Sequence, residues 1–180
     1  MSHTLVRLTI QSVEIVPDRV SDPNRALKDD AKTSNAGIEA STMRGDFMGH
    51  TSNGSIKVDG LEGAFEAETS NSSIVARIEK LAVGRPVKAS SSNGSIDLTL
   101  PEYTNQAIDA DTSNSSIVLR LPARTNADLR ASSSNSSLNS DFEMTSSGAN
   151  SKNRLEGRIG SGGGTIRLST SNGSVRVQKL

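Results

Sequence analysis

The chain has no cysteine and no tryptophan, and only one tyrosine and three phenylalanines among its 180 residues. Without thiols it can build neither a disulfide framework nor a thiolate metal site. With aromatics at 2% and hydrophobic residues at 33%, there is too little large apolar material for a thick globular interior. The apolar side chains present are mainly Ile, Val, Leu and Ala, which suit a thin, layered core. Charge of one sign is also missing: 20 Lys plus Arg balance 20 Asp plus Glu. No basic stripe with interleaved aromatics stands out, which argues against nucleic acid as a partner. No apolar run reaches the roughly 18 residues of a membrane-spanning helix. Polar residues break up the opening Leu5-Val6-Arg7-Leu8-Thr9-Ile10, so it does not read as a signal-peptide core. A cytoplasmic chain and the soluble part of a longer precursor both fit these absences.

Ser, Asn and Gly are what the chain has in place of aromatics, and such a composition alone would suit disorder. Their spacing argues otherwise. One short motif recurs with Asn at 35, 53, 71, 93, 114, 135 and 172, giving gaps of 18, 18, 22, 21, 21 and 37 residues. A fixed period of this size is the mark of a repeat architecture. Three residues after each Asn stands an aliphatic: Ile38, Ile56, Ile74, Ile96, Ile117, Leu138 and Val175. Val58, Ala76, Leu98, Leu119 and Val177 follow two further on, while Ala67, Ala89, Ala110, Ala131 and Leu168 sit four before the Asn. This is strand alternation on both sides of a corner, with polar partners facing out. The last gap is close to two periods and implies a corner lost or replaced by an excursion.

The apolar offsets are even before the Asn and odd after it, so the corner switches phase by one residue. A tight turn in which Asn, and still better Gly54, Gly94 and Gly173, adopts the left-handed conformation would make that switch. Ser72, Ser115 and Ser136 take the Gly place at other corners. A bent corner with Asn side chains stacking from coil to coil accommodates Ser more readily than a two-residue hairpin does. The expected fold is therefore all-β: a β-solenoid, or β-helix, of about seven coils of 18–22 residues. Each coil would hold two short strands around a Ser-Asn-Gly/Ser-Ser corner. A meander of separate hairpins is the alternative. Residues 31–180 form the repetitive domain. Residues 1–30 lack the motif: Val6, Leu8 and Ile10 alternate as a strand, Pro17 to Pro23 reads as a loop, and either an N-terminal cap or a degenerate coil fits the whole. Between 140 and 164 the rhythm breaks into a polar excursion, readable as a specialised surface or a C-terminal cap.

Candidate chemistry is sparse. His3 and His50 are isolated, and a Ser-His-Asp set can be picked from any chain so rich in Ser. Glu66, Glu68, Asp97, Asp109 and Asp111 fall on outward strand positions, where coils could align them as paired carboxylates of a polysaccharide-cleaving enzyme. Keeping an exposed sheet soluble is the simpler role for them. The Gly160–Gly164 run lacks the Asp of calcium-binding repeats and the Lys-Ser/Thr of a phosphate loop. No cofactor or metal pattern is present. Asn-x-Ser sequons coincide with corners at Asn53, Asn71, Asn93, Asn114, Asn135 and Asn172, which gives them a structural reason to exist. Arg44-Gly45-Asp46 matches an integrin-recognition tripeptide, a match too short to carry weight without structural context.

The repeated Thr-Ser-Asn-Gly-Ser-Ile pattern and the ending Gly162-Gly163-Gly164-Thr165-Ile166-Arg167-Leu168-Ser169-Thr170-Ser171-Asn172-Gly173-Ser174-Val175 together resemble the bacterial adhesin-type domain family. That family is formally a domain of unknown function, and the resemblance covers about residues 31–180. It implies a β-helix-like fold, a cell-envelope or extracellular setting, and no catalytic residues. On this reading the chain is a non-enzymatic binding or structural module. Its expected partners are a glycan, a cell-wall polymer or a surface protein, or other copies of itself. A polysaccharide-acting enzyme using the outward carboxylates is the competing expectation.

Overall fold

A computed structural model of the chain describes residues 7–10, 28–81, 84–146 and 151–180. The expected loop from Pro17 to Pro23 lies outside them, as does the centre of the polar stretch after Thr145. Every regular element described is a strand. β1 (Arg7–Ile10) comes first. Six pairs then flank successive corners: β2 (Lys28–Thr33) with β3 (Ile38–Arg44), β4 (Asp46–Thr51) with β5 (Ile56–Gly63), β6 (Phe65–Thr69) with β7 (Ile74–Leu81), β8 (Val87–Ser91) with β9 (Ile96–Thr99), β10 (Ile108–Thr112) with β11 (Ile117–Leu121), and β12 (Ala127–Ser133) with β13 (Leu138–Ser140). β14 (Met144–Ser146) and β15 (Arg154–Ile159) interrupt. β16 (Gly164–Thr170) and β17 (Val175–Lys179) flank the last corner.

The two strands of a pair do not bond to each other. Each goes to a different sheet and bonds to its equivalents from other pairs, so a meander of hairpins is ruled out. One sheet runs β1-β3-β5-β7-β9-β11-β17-β13 and the other β14-β15-β12-β16-β10-β8-β6-β4-β2. Pairing is parallel throughout, except where β1 lies on β3, β15 on β12 and β14 on β15. These antiparallel strands stand at the ends of the stack, and β15 covers the β12 edge that parallel pairing leaves open.

The register puts like on like. Ile38, Ile56, Ile74, Ile96, Ile117, Val175 and Leu138 form one column through the first sheet. Opposite them run Phe47, Phe65, Val87, Ile108, Ile166 and Leu129. The Phe47 and Phe65 rings stack with centroids 5.7 Å apart. Burying each such aliphatic is worth about 1.5–3 kcal/mol, less than the ordering entropy of the strands that carry it. A single level is therefore unstable without its neighbours. Of the seven aliphatics three after an Asn, six are almost wholly buried. Leu138 is the exception: β13 ends its sheet, so Leu138 packs on the core from one side and stays half-buried.

Of the two readings of the 37-residue gap, a lost corner or an excursion, the strand order shows the excursion. The chain leaves the stack after β13, runs through β14 and β15, and returns to insert β16 and β17 between the fifth and sixth pairs. The corner at Asn172 thus sits between those at Asn114 and Asn135.

The corner geometry overturns one expectation. Neither the corner Asn residues nor Gly54, Gly94 and Gly173 have positive φ. The turn is made by an inward hydroxyl two residues before the Asn: Thr51 Oγ1 accepts from Gly54 N at 3.1 Å, Ser91 Oγ from Gly94 N at 2.9 Å and Thr170 Oγ1 from Gly173 N at 3.1 Å. The same hydroxyls donate across to the neighbouring level, to the carbonyls of Ala36, Ser72 and Ser115. Glycine is needed because levels approach so closely. A Cβ at Gly54, Gly94 or Gly173 would lie 1.6–1.8 Å from those same three carbonyl oxygens.

Candidate functional site

The corners stack into one exposed face. Asn53 Nδ2 donates to Asn35 Oδ1 at 2.7 Å, and the pattern continues through Asn71, Asn93, Asn114, Asn172 and Asn135 at 2.7–2.8 Å per step. From Asn53 onward every Nδ2 points toward the β2 end of the stack, so the amide dipoles align and polarise one another. At each step the Asn backbone N–H also donates to the preceding level's Ser carbonyl, as in Asn71 to Ser52 at 3.0 Å and Asn93 to Ser70 at 2.8 Å. Asn153 closes the ladder's far end: its Nδ2 donates to Ser134 O at 2.6 Å, the place a further level would take.

An amide has two N–H donors and two acceptor lone pairs. The ladder uses one of each, which leaves every inner Asn one outward donor and one acceptor. Beside the Asn column runs an exposed column of Ser34, Ser52, Ser70, Ser92, Ser113, Ser171 and Ser134. With levels about 4.8 Å apart, the seven corners make a flat hydroxyl and amide strip roughly 29 Å long. It carries no charge. Nδ2, the nitrogen a sequon would offer for glycosylation, is committed to the ladder from Asn53 onward.

The carboxylates singled out from the sequence do not converge. In one row of the β2–β16 sheet, Glu66, Lys88, Asp109 and Arg167 are lateral neighbours, so a cation stands on each side of Asp109. Glu66 and Asp109 are two strand steps apart, about 9.6 Å at the backbone. In the next row Glu68 lies 3.3 Å from His50 Nε2, and Asp111 accepts from Ser90 Oγ at 3.1 Å. Asp97 is on the other sheet, paired with Arg120. The face is open, and each of these acids sits beside a cation, a histidine or a hydroxyl. His3 lies outside the described residues. The Arg44-Gly45-Asp46 tripeptide is already engaged: Arg44 pairs with Glu62 at 3.3 Å, and Asp46 holds Arg85 at 2.8 Å and the Ala64 N–H at 3.1 Å.

One site escaped the sequence reading. At the side opposite the corners, the loops 101–106, 122–126 and 160–164 enclose an open cleft of about 390 Å³ lined by Tyr103, Asn105, Arg124, Asn126 and the Gly162-Gly163 turn. A second cleft of about 350 Å³ lies beyond Arg124, against Phe142 and Lys179. Side-chain amides organise the first: Asn126 Oδ1 accepts from Ser161 N at 2.9 Å, and buried Gln106 bonds twice to Thr104. Asn105 sits at φ 65°. Tyr103 donates to Gln106 O at 2.8 Å, and its burial, with Asp128 nearby, pushes the phenol up to about 12. The only available sequence signal was Asn105 and Asn126 preceding two sheet strands by a similar spacing.

The register, the two parallel sheets and the stacked corners define an all-β, solenoid-like domain. Among the described residues no helix is long and apolar enough to cross a membrane. The Toastrack DUF4097 family model matches residues 48–178, and the chain belongs to that family, a domain of unknown function. Comparison with curated proteins and with solved structures gives no match.

Proposed function

We propose that the chain is a seven-coil β-solenoid acting as a non-enzymatic, adhesin-like binding module of the cell envelope or surface. The observation that carries this reading is the uncharged strip of exposed Ser hydroxyls and Asn amides along the corners. Its donors and acceptors repeat at one fixed step and are held rigid by the ladder, so little side-chain entropy is lost on binding. A polyhydroxylated polymer, a glycan or cell-wall strand laid along the stack, would meet the same hydrogen-bonding pattern at each level. Individually such bonds contribute little in water, but aligned copies add up. The carboxylate rows suit a solubilising role, because each acid sits beside a cation or hydroxyl and no cleft overlies them.

The test is retention on a panel of insoluble glycans and purified cell-wall material, with and without Ser52→Lys, Ser70→Lys and Ser92→Lys together. These side chains are exposed and outside the ladder, so the variant should melt like the parent while losing retention. Binding of the parent should also be nearly insensitive to salt, since the strip is neutral. The Asp109→Asn, Asp111→Asn double variant should bind fully. No retention across the panel, or retention unchanged by the three lysines, sinks the reading.

A further inference from the structure

β11 and β12 are consecutive in the chain, joined by residues 122–126, yet they do not belong to adjacent levels. Between the fifth and sixth pairs a slot of two strand steps, about 9.6 Å, is filled by residues 164–179, which arrive later in the chain. The filling is complete. β16 bonds β10 on one side and β12 on the other, and β17 likewise bonds β11 and β13. Asn172 takes its place in the ladder between Asn114 and Asn135, Thr170 Oγ1 donates to Ser115 O at 2.9 Å, and Ser133 Oγ to Gly173 O at 3.0 Å. Ile166, Leu168, Val175 and Val177 are all 0–1% exposed there.

What tethers this segment is short and glycine-rich. From the end of β15 the chain must pass over β12 to reach β16, crossing two strand steps with residues 160–163. Gly160, Gly162 and Gly163 all take positive φ to do so, at 59°, 78° and 155°. Asn126 pins the arch from below through the Ser161 N–H. The slot therefore recognises a two-strand unit with one corner, and the hinge that delivers it is held in a conformation only glycine adopts readily. An identical segment from another copy would make every one of the same contacts, and opening would relax the arch. Exchange of an identical element through a tight hinge is a low-cost route to association.

We infer that the slot between the β10–β11 and β12–β13 levels is an interface for a second copy of this chain. Two copies exchange residues 164–179 and form a closed, reciprocal dimer. The exchange is independent of what the corner face binds. It differs from end-to-end joining, since β15 and Asn153 cover one end of the stack.

Ser116 and Ser174 report the exchange directly, because their hydroxyl oxygens lie 3.2 Å apart where β11 and β17 begin on neighbouring levels. Strand neighbours at about 4.8 Å fall within the Cα range of a disulfide. Full-length Ser116→Cys and Ser174→Cys chains are unfolded together, refolded at increasing concentration and oxidised. A control mixture replaces Ser116→Cys with Ser55→Cys, at the equivalent position of a distant level. Exchange gives a disulfide-linked heterodimer from the first mixture, increasing with protein concentration during refolding, and little from the control. Equal yields from both mixtures mean chance collision and overturn the inference. So does an all-monomer result while the Ser116→Cys, Ser174→Cys double variant closes its bond internally. A second variant guards against misfolding of the cysteine chains. Deleting Gly162 and Gly163 makes the arch too short to close on itself, so that chain should run as a folded dimer on sizing. A folded monomer melting like the parent refutes the exchange.

Discussion

Gly94→Ala is the sharpest test of how the levels stack. A Cβ at this position would stand 1.6 Å from the Ser72 carbonyl oxygen, 2.1 Å from its carbon and 2.8 Å from Ser73 N. Nothing in that contact can turn aside, because all three atoms are backbone. Gly94 is itself fixed, its N–H donated to Ser91 Oγ at 2.9 Å and its carbonyl accepting from Thr112 Oγ1 at 3.0 Å. Carbon contacts become comfortable near about 3.5 Å, so the two levels must part locally by roughly 2 Å. That takes the Asn93 to Asn71 amide bond and the Asn93 N to Ser70 O bond, both 2.8 Å, beyond reach, together with the 3.2 Å Ser91 to Ser72 bond.

Three such bonds at about 1 kcal/mol each, discounted for the exposed amide pair, and an overpacking cost of about 1–3 kcal/mol give a loss of roughly 3–5 kcal/mol. For a chain of this size that corresponds to a fall in Tm on the order of 10 °C or more. Differential scanning calorimetry on three variants checks the reasoning. Gly37→Ala is the control, since its Cβ would meet nothing nearer than 3.3 Å, and it should cost little. Ser72→Gly should stay within about 1 kcal/mol of the parent, reflecting only added chain entropy. If Gly94→Ala melts within a few degrees of Gly37→Ala, close approach is not why glycine stands at these corners.

Two further outcomes follow from the core and the cleft. Ile96→Asp places a carboxylate between Ile74 and Ile117 at a fully buried position, where no partner exists to hold it; the loss should exceed about 4 kcal/mol, and a parent-like melt would show that the residue three after the Asn does not point inward. Tyr103, the chain's single tyrosine, has its phenol held up to about 12 chiefly by burial, against an ordinary value near 10. The folded state therefore keeps a proton the unfolded state has lost, so its contribution is intact below about pH 10 and disappears as pH rises toward 12; ultraviolet titration should find the tyrosinate appearing late and together with unfolding, and an ordinary midpoint in the intact fold would contradict the burial.

Much of the fold was legible because stacking identical residues leaves a periodic mark. The even and odd apolar offsets around each Asn identified the inner columns, and the wish of like side chains to stack singled out Ile38 to Ile117 as one of them. The turn mechanism was not legible from Asn and Gly alone. Both residues are associated with left-handed backbone, and here neither uses it. The working group is the Thr or Ser two residues earlier, which alternation merely marks as inward and which is too polar to be picked as core. The cleft at Tyr103 and Asn126 was hard to see for a different reason: its walls come from three loops, of which only two share a faint signal, the Thr-Asn at 104–105 and 125–126, and only the stacking of levels brings them together.

The order of the levels was written in the sequence in a form that chain order hides. Read along the chain, the residue after each Asn is Ala36, Gly54, Ser72, Gly94, Ser115, Ser136 and Gly173, and the alternation fails at the end. Read along the stack, where Asn172 lies between Asn114 and Asn135, it becomes Ala, Gly, Ser, Gly, Ser, Gly, Ser without a break. Each glycine packs on the carbonyl of a residue bearing a Cβ, so glycine and Cβ-bearing corners alternate along the stack. The pattern would be broken if β16 and β17 simply followed β13, because Ser115 and Ser136 would then be adjacent. The displaced insertion of residues 164–179 is therefore encoded in the corner residues themselves. It also fixes the sequence of assembly: the sixth level has no partner on its β10–β11 side until the last segment arrives. Docking must then wait for contacts far apart in the chain, which slows folding and leaves the slot open long enough for a second copy to enter it.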